Sequence, residues 1–372
     1  MEANNKRTCL YDKHVALRAQ ISPFGGFDMP IQYSGIVDEH QAVRQACGVF
    51  DVSHMGEVLV SGPEAERYVN HIFTNDVTRI DEGKILYGMM CYGNGGVVDD
   101  LLVYKMAADR FFLVINAANI DKDLAWIEEQ AKGYQVVVEH QSDLYGELAV
   151  QGPESEQVMK DVLEIDATDL TFYTFKQFPL PAGQVGGVSN VIVSRTGYTG
   201  EDGFEIYADA DYIRQCWDKL MASGRCKPCG LGCRDTLRFE VGLPLYGDEL
   251  SADITPIMAG LGMFVKLDKA EFIGRDALAR QKEEGPQKKL VGIELHDKAI
   301  PRHGYAVLKD GAVIGEVTTG YHSISTDKSV CMALIDAHYA ALDTEVEIQI
   351  RKKTFPGTVC RKRFYDKHYK RD

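Results

Sequence analysis

Two segments about 90 residues apart share a pattern that fixes much of the chain's architecture. Residues 58–66 (VLVSGPEAE) and 148–156 (LAVQGPESE) each pass from an apolar stretch into Gly-Pro-Glu. Proline is favoured in the first turn of a helix, and glutamate stabilises its positive end, so each segment predicts a strand followed by a helix. The two helices are expected over residues 64–73 and 154–163. Because the spacing is too long for a solenoid, we predict two related α+β modules with a boundary between residues 134 and 148.

A hairpin is predicted around Asn94-Gly95, which separates two apolar runs. Asn-Gly favours a two-residue turn in which both residues take positive φ. The runs 84–92 and 97–105 then pair as strands, and a third run, 111–116, completes an antiparallel meander.

Adjacent carboxylates interrupt the second strand of this meander. Side chains alternate between the two faces of a strand, so Asp100 shares a face with Val98 and Tyr104, whereas Asp99 lies on the other. One carboxylate is therefore expected in solvent and the other in a packed interior, where an ionised carboxylate is costly unless it is hydrogen-bonded. A fraying strand end is the simpler explanation, but the pairing with Tyr104 favours a site.

The remaining periodic segments extend this α+β pattern and end in an all-β region. Helices are expected over 10–20, 36–46 (ending at Gly48), 212–223 and from 234 to 240, with a turn-rich connector over 23–30. Strands are expected over 49–52, 188–194 and 203–208, and a charged linker over 282–289. Beyond it, β-like runs predict a small all-β domain of about 85 residues: 290–295, 305–309, 312–319, 330–335 and 345–350.

Composition limits the class of protein. The chain has 372 residues, 45% of them hydrophobic, and a formal net charge of −14, which predicts a soluble protein of two or three domains and argues against a nucleic-acid binder. We expect no membrane span, because no apolar run approaches 18 residues. The N-terminus resembles neither a secretory signal nor a transit peptide, so we expect a cytoplasmic protein.

Positive charge is concentrated at the end of the chain. Residues 351–372 contain nine Lys/Arg and two Asp, a net charge of +7 that leaves −21 on the remainder. Such a segment is either a solvated face or a landing site for an anionic partner, and the sequence alone favours the solvated face.

Nine cysteines are scattered through the chain, as is typical of a reducing compartment. Cys226, Cys229 and Cys233 have a spacing that could supply three thiolates to a metal. A fourth ligand at matching spacing and a second CxxC are missing, so we interpret these cysteines as packing residues and expect no metal.

The common cofactor fingerprints are missing from the sequence: GxGxxG after a strand, GxxxxGK[ST], HExxH and GxSxG. What remains is carboxylates and aromatic residues in turn-rich loops, most densely over residues 194–205. Its glycines permit tight backbone, Tyr198 offers a flat face with a polar tip, and Glu205 begins a strand. Composition alone does not distinguish a functional site over residues 194–205 from a hairpin loop that happens to carry polar and aromatic residues.

Six segments, in order over nearly the whole chain, resemble aminomethyltransferase, the T-protein of the glycine cleavage system: 49–56 (VFDVSHMG), 95–101 (GGVVDDL), 195–205 (RTGYTGEDGFE), 234–238 (RDTLR), 272–278 (FIGRDAL) and 314–320 (IGEVTTG). The resemblance implies a three-domain cloverleaf of fold class α+β. Residues 1–50 and 145–280 would form a ferredoxin-like folate-binding module, residues 51–144 a module carrying the catalytic aspartate, and residues 286–372 a β-barrel domain.

The resemblance also implies a reaction. The enzyme would transfer the aminomethyl carbon from S-aminomethyldihydrolipoyl H-protein to tetrahydrofolate, its co-substrate, releasing ammonia and forming 5,10-methylenetetrahydrofolate. Its partners would be lipoylated H-protein and, functionally, P-protein and L-protein. Folate polyglutamates and acidic H-proteins would suit the basic segment, so we expect Lys352, Lys353, Arg361, Lys362 and Arg363 to steer them.

Site residues follow from the matching motif positions. Asp100 matches the catalytic aspartate, whose fixed charge would stabilise an iminium-like methylene carbon. Glu205 matches the carboxylate that holds the pterin edge, and Arg234 a folate-contacting arginine, whereas Arg238 is interpreted as structural. The resemblance places further ligand contacts at Tyr87, Tyr104, Tyr198, Met55, Asn116 and Tyr369.

Two alternatives stay open. A stand-alone folate-dependent demethylase would use the same fold, whereas flavin-linked sarcosine-type oxidases require a dinucleotide fingerprint that this sequence lacks. A non-enzymatic folate-binding factor for iron–sulfur assembly would carry a Lys-Gly-Cys motif. The matching residues 271–275 (EFIGR) contain no cysteine.

Overall fold

The computed structural model describes residues 5–180 and 187–370. Its elements up to the predicted module boundary alternate between helices and strands: α1 (Tyr11–Ala16), β1 (Gln20–Phe24), β2 (Phe27–Gln32), α2 (Ile36–Gln45), β3 (Gly48–Asp51), β4 (Gly56–Ser61), α3 (Ala65–Ile72), β5 (Ile85–Cys91), β6 (Val97–Ala107), β7 (Arg110–Ile115), α4 (Ile120–Gln130) and β8 (Val137–His140).

The second half repeats this mixture and then becomes all β. Its α+β part comprises β9 (Gly146–Gln151), α5 (Ser155–Val162), β10 (Phe175–Pro179), β11 (Asn190–Ser194), β12 (Gly203–Ala208), α6 (Ala210–Ser223), β13 (Lys227–Pro228), α7 (Leu231–Glu240) and α8 (Arg275–Glu284). The last part comprises β14 (Lys288–Leu295), β15 (Ala306–Lys309), β16 (Ala312–His322), β17 (Ser329–Asp336), β18 (Glu345–Ile350) and β19 (Lys353–Cys360).

These strands form two larger sheets, a closed barrel and a small hairpin. One sheet has the order β5-β6-β7-β4-β8 and the other β10-β11-β12-β9-β3-β13, antiparallel except for the β13–β3 pair. The barrel closes in the order β14-β17-β16-β15-β18-β19, and β1 pairs with β2. The α+β class and the C-terminal barrel are confirmed. None of the helices in the described ranges is long and apolar enough to cross a membrane.

The two Gly-Pro-Glu segments are similar in structure as well as in sequence. Gly62 and Gly152 have φ of +130° and +127°, a conformation that favours glycine. An added Cβ would meet the carbonyl oxygen of Gln135 at 2.6 Å in one module and that of Ala46 at 2.4 Å in the other. In each module, a glycine at the equivalent position therefore precedes the corresponding helix, α3 or α5.

Each sheet buries one face against its own helices. In the first module, Tyr68 and Ile72 of α3 pack on Val103 and Leu113; in the second, Trp217 and Leu220 of α6 pack in the core formed by β9 and β12. The other faces meet each other through Tyr104, Phe112, Phe175, Ile192 and Tyr207. This interface fixes how the two sheets face the site.

Several local predictions were wrong. The first helix is short, and the predicted connector over 23–30 forms the β1–β2 hairpin, whose turn has Gly25 and Gly26 at φ +55° and +83°. Gly48 begins a strand rather than ending a helix, and the predicted linker over 282–289 is divided between α8 and β14. Strand β19 lies within the basic segment and was missed, because Pro356 and Gly357 are rare inside strands.

The Asn94-Gly95 hairpin exists, but its turn differs from the predicted type. Gly95 alone takes positive φ, +89°, and its N–H donates to Tyr92 O at 2.9 Å. Across the β5–β6 pair the register shifts between Met90↔Asp99 and Cys91↔Val97, so Val98 lies in a bulge. The bulge turns Val98 into the core with Leu101 and Val103, away from the face that was predicted for it.

Candidate functional site

A cavity of about 630 Å³ opens between the two sheets. Its walls come from β5 and β6 on one side, from β9, β12 and α7 on the other, and from residues 242–246, 260–261 and 263–264 of the connecting segments. Residues of the C-terminal segment, Lys362, Lys367 and Tyr369, complete the lining. The size matches small-molecule sites, which range from about 300 to 1,000 Å³.

Asp100 faces this cavity and is held by two neighbours. Tyr87 Oη donates to Asp100 Oδ2 at 2.8 Å, and Asn116 Nδ2 donates to Oδ1 at 2.9 Å. All three residues line the cavity. The carboxylate is therefore fixed in orientation before any ligand arrives.

Asp99 points to the opposite face of the strand, as the alternation predicts, but the expectation that one of the two carboxylates lies in solvent was wrong, because Asp100 is partly buried at the cavity and Asp99 lies in the interior. It is fully buried and accepts hydrogen bonds from Asn116 N at 3.0 Å, Asn116 Nδ2 at 2.8 Å and Asn119 Nδ2 at 2.7 Å. One of the paired carboxylates thus anchors Asn116, and Asn116 in turn orients the other.

The electrostatic setting of Asp100 is that of an acid–base group. Burial raises the pKa of Asp100 from 3.8 to about 7, with a further rise from the Asp99 charge; hydrogen bonds from Tyr87 and Asn116 lower it. Carboxyl groups with pKa values near neutrality are typical of sites that handle protons or developing charge.

Glu205 lies on another wall of the same cavity, 7% exposed. Thr196 Oγ1 donates to Glu205 Oε2 at 2.5 Å. Burial raises the pKa of Glu205, whereas the Thr196 hydrogen bond and the Arg234 charge lower it. A ligand with two N–H donors on one edge would supply the bonds that this buried carboxylate needs.

Arg234 and Tyr198 form a neighbouring wall. The Arg234 guanidinium lies 4.4 Å from the Tyr198 ring centroid, and the Tyr198 hydroxyl donates to Pro244 O. Arg238, one helical turn further, is fully buried and pairs with Asp235 and Glu249, both at 2.7 Å. Only Arg234 of these two arginines lines the cavity.

The structure brings together most of the predicted site residues but not all. Asp100, Glu205, Arg234, Tyr198, Tyr87, Asn116, Met55 and Tyr369 line the cavity. Tyr104 does not: it is fully buried behind the wall, with its hydroxyl 3.0 Å from that of Tyr207 and 3.1 Å from Ser194 Oγ. Tyr207 lies between Tyr104 and the cavity, so Tyr104 supports a lining residue and does not line the cavity itself.

An aromatic stack lies at the cavity beside the C-terminal segment. The Phe172 ring stacks on Tyr369 with centroids 4.1 Å apart and on Tyr173 with centroids 4.3 Å apart. His368 N donates to Gly200 O at 2.7 Å, which fastens the segment next to this stack. The C-terminal residues are thus part of the wall.

Several lining residues were missed by sequence reasoning: Glu147, Phe172, Tyr173, Tyr207, Phe264 and the loop over 242–246. Glu147 could have been noticed as a carboxylate within the apolar strand 146–151. Lys362, predicted as a surface charge, is instead half-buried at the cavity and donates to Ala259 O. Burial lowers the pKa of Lys362 to about 8.

The cysteine motif lies apart from this cavity. Cys226, Cys229 and Cys233 are buried, and Cys226 Sγ lies 3.3 Å from Cys47 Sγ. Within residues 5–180 and 187–370, no group of three or more His, Cys, Asp or Glu side chains is arranged to hold a metal.

Family models match both parts of the chain. The GCVT N-terminal domain matches residues 10–269, and the glycine cleavage T-protein C-terminal barrel domain matches residues 288–366. The chain belongs to the glycine cleavage T-protein family of aminomethyltransferases. The resemblance predicted from its motifs is therefore confirmed.

Individual aminomethyltransferases are similar to this chain over nearly their whole length. The aminomethyltransferase of Alkaliphilus oremlandii is 49% identical over 369 residues, covering 98% of this chain and 99% of the relative. That of Lysinibacillus sphaericus is 50% identical over 363 residues, covering 97% and 98%. The chain is thus an enzyme of the aminomethyltransferase class.

A solved T-protein has the same architecture. The crystal structure of glycine cleavage system aminomethyltransferase T from Bartonella henselae superposes with a TM-score of 0.92 at 31% identity. The match covers 99% of this chain and all of the other, so the two α+β modules and the barrel share one arrangement in both T-proteins.

Proposed function

We propose that this T-protein transfers the aminomethyl carbon of S-aminomethyldihydrolipoyl H-protein to tetrahydrofolate, releasing ammonia and forming 5,10-methylenetetrahydrofolate. The observation that carries the proposal is that Asp100 and Glu205 face one cavity of about 630 Å³ with aromatic walls. Such a cavity has a size suited to a folate, with one carboxylate available for binding and one for chemistry.

Glu205 is proposed to hold the pterin ring. The 2-amino group and the adjacent ring N–H present two donors on one edge, which a carboxylate accepts in a bidentate, charge-assisted pair. Thr196 fixes the rotation of the Glu205 carboxyl group. Because the ligand's donors favour the ionised form, binding should lower the raised pKa of Glu205.

The flat remainder of the folate is proposed to lie along the aromatic lining. Tyr198 and Tyr87 offer ring faces, Met55 an adaptable apolar contact, and the Phe172–Tyr369 stack a further aromatic surface. Arg234 is proposed to contact the folate from its place beside Tyr198.

Asp100 is proposed as the catalytic residue. When the amine leaves the methylene carbon, positive charge develops there, and a fixed carboxylate beside it stabilises that charge. The carbon loses its bonds to the amine and to the lipoyl sulfur and gains bonds to two folate nitrogens. The two protons released by those nitrogens go to ammonia and to the lipoyl thiol. Tyr87 and Asn116 keep Asp100 in place through these steps.

The wider setting is part of the same proposal. Lipoylated H-protein would deliver the carbon, P-protein and L-protein would act before and after it, and the chain would work in the cytoplasm. We also propose that the modules act as domains over residues 1–50 with 145–280, 51–144 and 286–372.

The direct test is production of 5,10-methylenetetrahydrofolate and ammonia from aminomethylated H-protein and tetrahydrofolate. The same assay without H-protein, but with an S- or O-methyl donor, tests the demethylase alternative. Folate binding without turnover on either donor would favour a non-enzymatic folate-binding protein and would contradict our proposal.

A further inference from the structure

Glu147 is a buried acid that the proposed reaction does not yet use. It lies in β9, is 2% exposed and lines the cavity. Its Oε2 atom is buried and has no hydrogen-bond partner among the described residues. Oε2 itself is closed off from the cavity, so Glu147 lines the cavity through the rest of its side chain. Buried polar atoms are nearly always paired, and a carboxyl group that lines a cavity with one oxygen unpaired can complete its hydrogen bonding with a ligand.

The position of Glu147 is set by its backbone. Glu147 N donates to Ser53 Oγ at 2.9 Å, and Ser53 Oγ donates to Glu147 O at 3.2 Å. In the sheet, Glu147 pairs with Tyr207 of β12. Glu205, two residues before Tyr207, lies on the same face of that strand, so the two glutamates belong to one wall.

The charge around Glu147 favours its neutral form. Burial raises the pKa of Glu147 well above its usual range, and the nearby carboxyls of Glu205 and Glu57 raise it further. A hydrogen bond from Tyr207 and the charge of Arg234 act in the opposite direction. A neutral carboxylic acid, unlike a carboxylate, can donate a hydrogen bond.

We propose that Glu147 is a second ligand-positioning residue, which donates a hydrogen bond to a ring acceptor adjacent to the edge that Glu205 holds. This inference rests on the proposed function. A pterin alternates donors and acceptors around its ring: the two N–H donors are flanked by the 4-oxo oxygen and by N1. One carboxylate and one neutral carboxylic acid on the same wall match that alternation.

A structural role makes a different prediction. An unpaired buried oxygen destabilises the fold, so replacing Glu147 by methionine, which has similar length and no polar end, should leave the fold at least as stable. If the carboxyl serves the ligand, affinity should fall although stability does not. Glu57 is the matched control, because it is 1% exposed, has two unpaired oxygens and does not line the cavity.

The experiment measures the Kd of tetrahydrofolate and the Tm of the full chain for the wild type and three variants. We expect Glu147→Met to weaken binding about tenfold or more, the effect of losing one ligand hydrogen bond, with an unchanged or higher Tm. Glu147→Gln, whose amide can donate, should bind within about threefold of wild type, and Glu57→Met should not change Kd.

Two outcomes would overturn the inference. One is wild-type affinity in Glu147→Met; the other is a loss of folding in that variant, which would show that the carboxyl supports the fold. Neither touches the proposed function, whose failure would appear as a wild-type chain that does not bind tetrahydrofolate at all.

Discussion

Tyr87 Oη donates a 2.8 Å hydrogen bond to Asp100 Oδ2 diagonally across the β5–β6 pair. Tyr87 lies opposite Leu102, and Asp100 opposite Met89, so the two side chains share a face without being direct partners. The bond therefore depends on strand register, and the same register keeps Asp99 on the other face. Two adjacent residues of identical chemistry thus have different surroundings, one at the cavity and one in the interior.

Asp100→Asn should abolish most turnover while leaving folate affinity within a few-fold. The amide keeps the shape of the side chain but removes the negative charge, and loss of a preorganised electrostatic group costs on the order of 10²–10³-fold in rate. Single-turnover kinetics and folate titration measure the two quantities separately. The control is Asp99→Asn, which should reduce stability more than turnover, because Asp99 accepts three buried hydrogen bonds. Near-normal turnover in Asp100→Asn would leave Asp100 with only a structural role.

Activity should rise with pH through about 7, because the proposed role of Asp100 requires its ionised form and its pKa is raised to about 7. Tyr87→Phe removes a hydrogen bond that lowers this pKa, so the rise should move to higher pH. The pH profile of kcat/KM reports the free enzyme and is the measurement to make. Tyr198→Phe is the matched control, since the Tyr198 hydroxyl bonds to Pro244 O. An unshifted profile in Tyr87→Phe would show that the rise in activity with pH does not report the ionisation of Asp100.

The same titration predicts a stability effect. Because the folded-state pKa of Asp100 is above its ordinary value of 3.8, the folded chain keeps a proton that the unfolded chain has released. Its contribution to folding is therefore fully present below pH ~4 and is lost as the pH rises towards 7. Asparagine does not titrate, so the Tm of Asp100→Asn relative to wild type should increase between pH ~4 and about 7 and level off at higher pH. Thermal unfolding across this range tests it, and a constant difference would contradict it.

The features that could be predicted from the sequence are those decided by local interactions. The repeated Gly-Pro-Glu pattern, the meander and the alternation that separates Asp99 from Asp100 all depend on residues close in the chain. The structure also places Arg234 at the cavity and Arg238 in the interior, where its buried partner Glu249 was not foreseen.

The failures come from tertiary contacts. The resemblance placed a ligand contact at Tyr104, which does share a face with Asp100, but Tyr207 from the other module lies between Tyr104 and the cavity. Glu147 became a lining residue because β9 and β12 pair next to the cavity, a contact between distant segments. Strand β19 was not predicted because it contains Pro356, and its place in the barrel is fixed by pairing with β14 and β18. Individual site roles came from the family resemblance, because spacing alone does not carry them.

Tyr369→Ala should weaken folate binding about 2- to 10-fold, the range expected from one aromatic pair, with little effect on the rate at saturation. The reason is that Tyr369 and Phe172 form a stack with centroids 4.1 Å apart at the cavity wall. Tyr369→Phe keeps the ring and should bind like wild type. Equal affinity in the alanine variant would show that the C-terminal segment does not contribute to the folate site.

The KM for H-protein should increase with salt, because an acidic partner would be steered by positive charge. The structure divides the basic segment into two groups: Arg361 and Arg363 are exposed and flank the cavity-lining Lys362, whereas Lys352 and Lys353 lie at the β18–β19 turn. Arg361→Gln with Arg363→Gln should therefore raise KM and reduce its salt dependence. Lys352→Gln with Lys353→Gln removes the same charge further from the cavity lining and should have a smaller effect. Steady-state kinetics at several ionic strengths distinguish the pairs, and equal effects of the two pairs or a KM that does not respond to salt would exclude local steering beside the cavity.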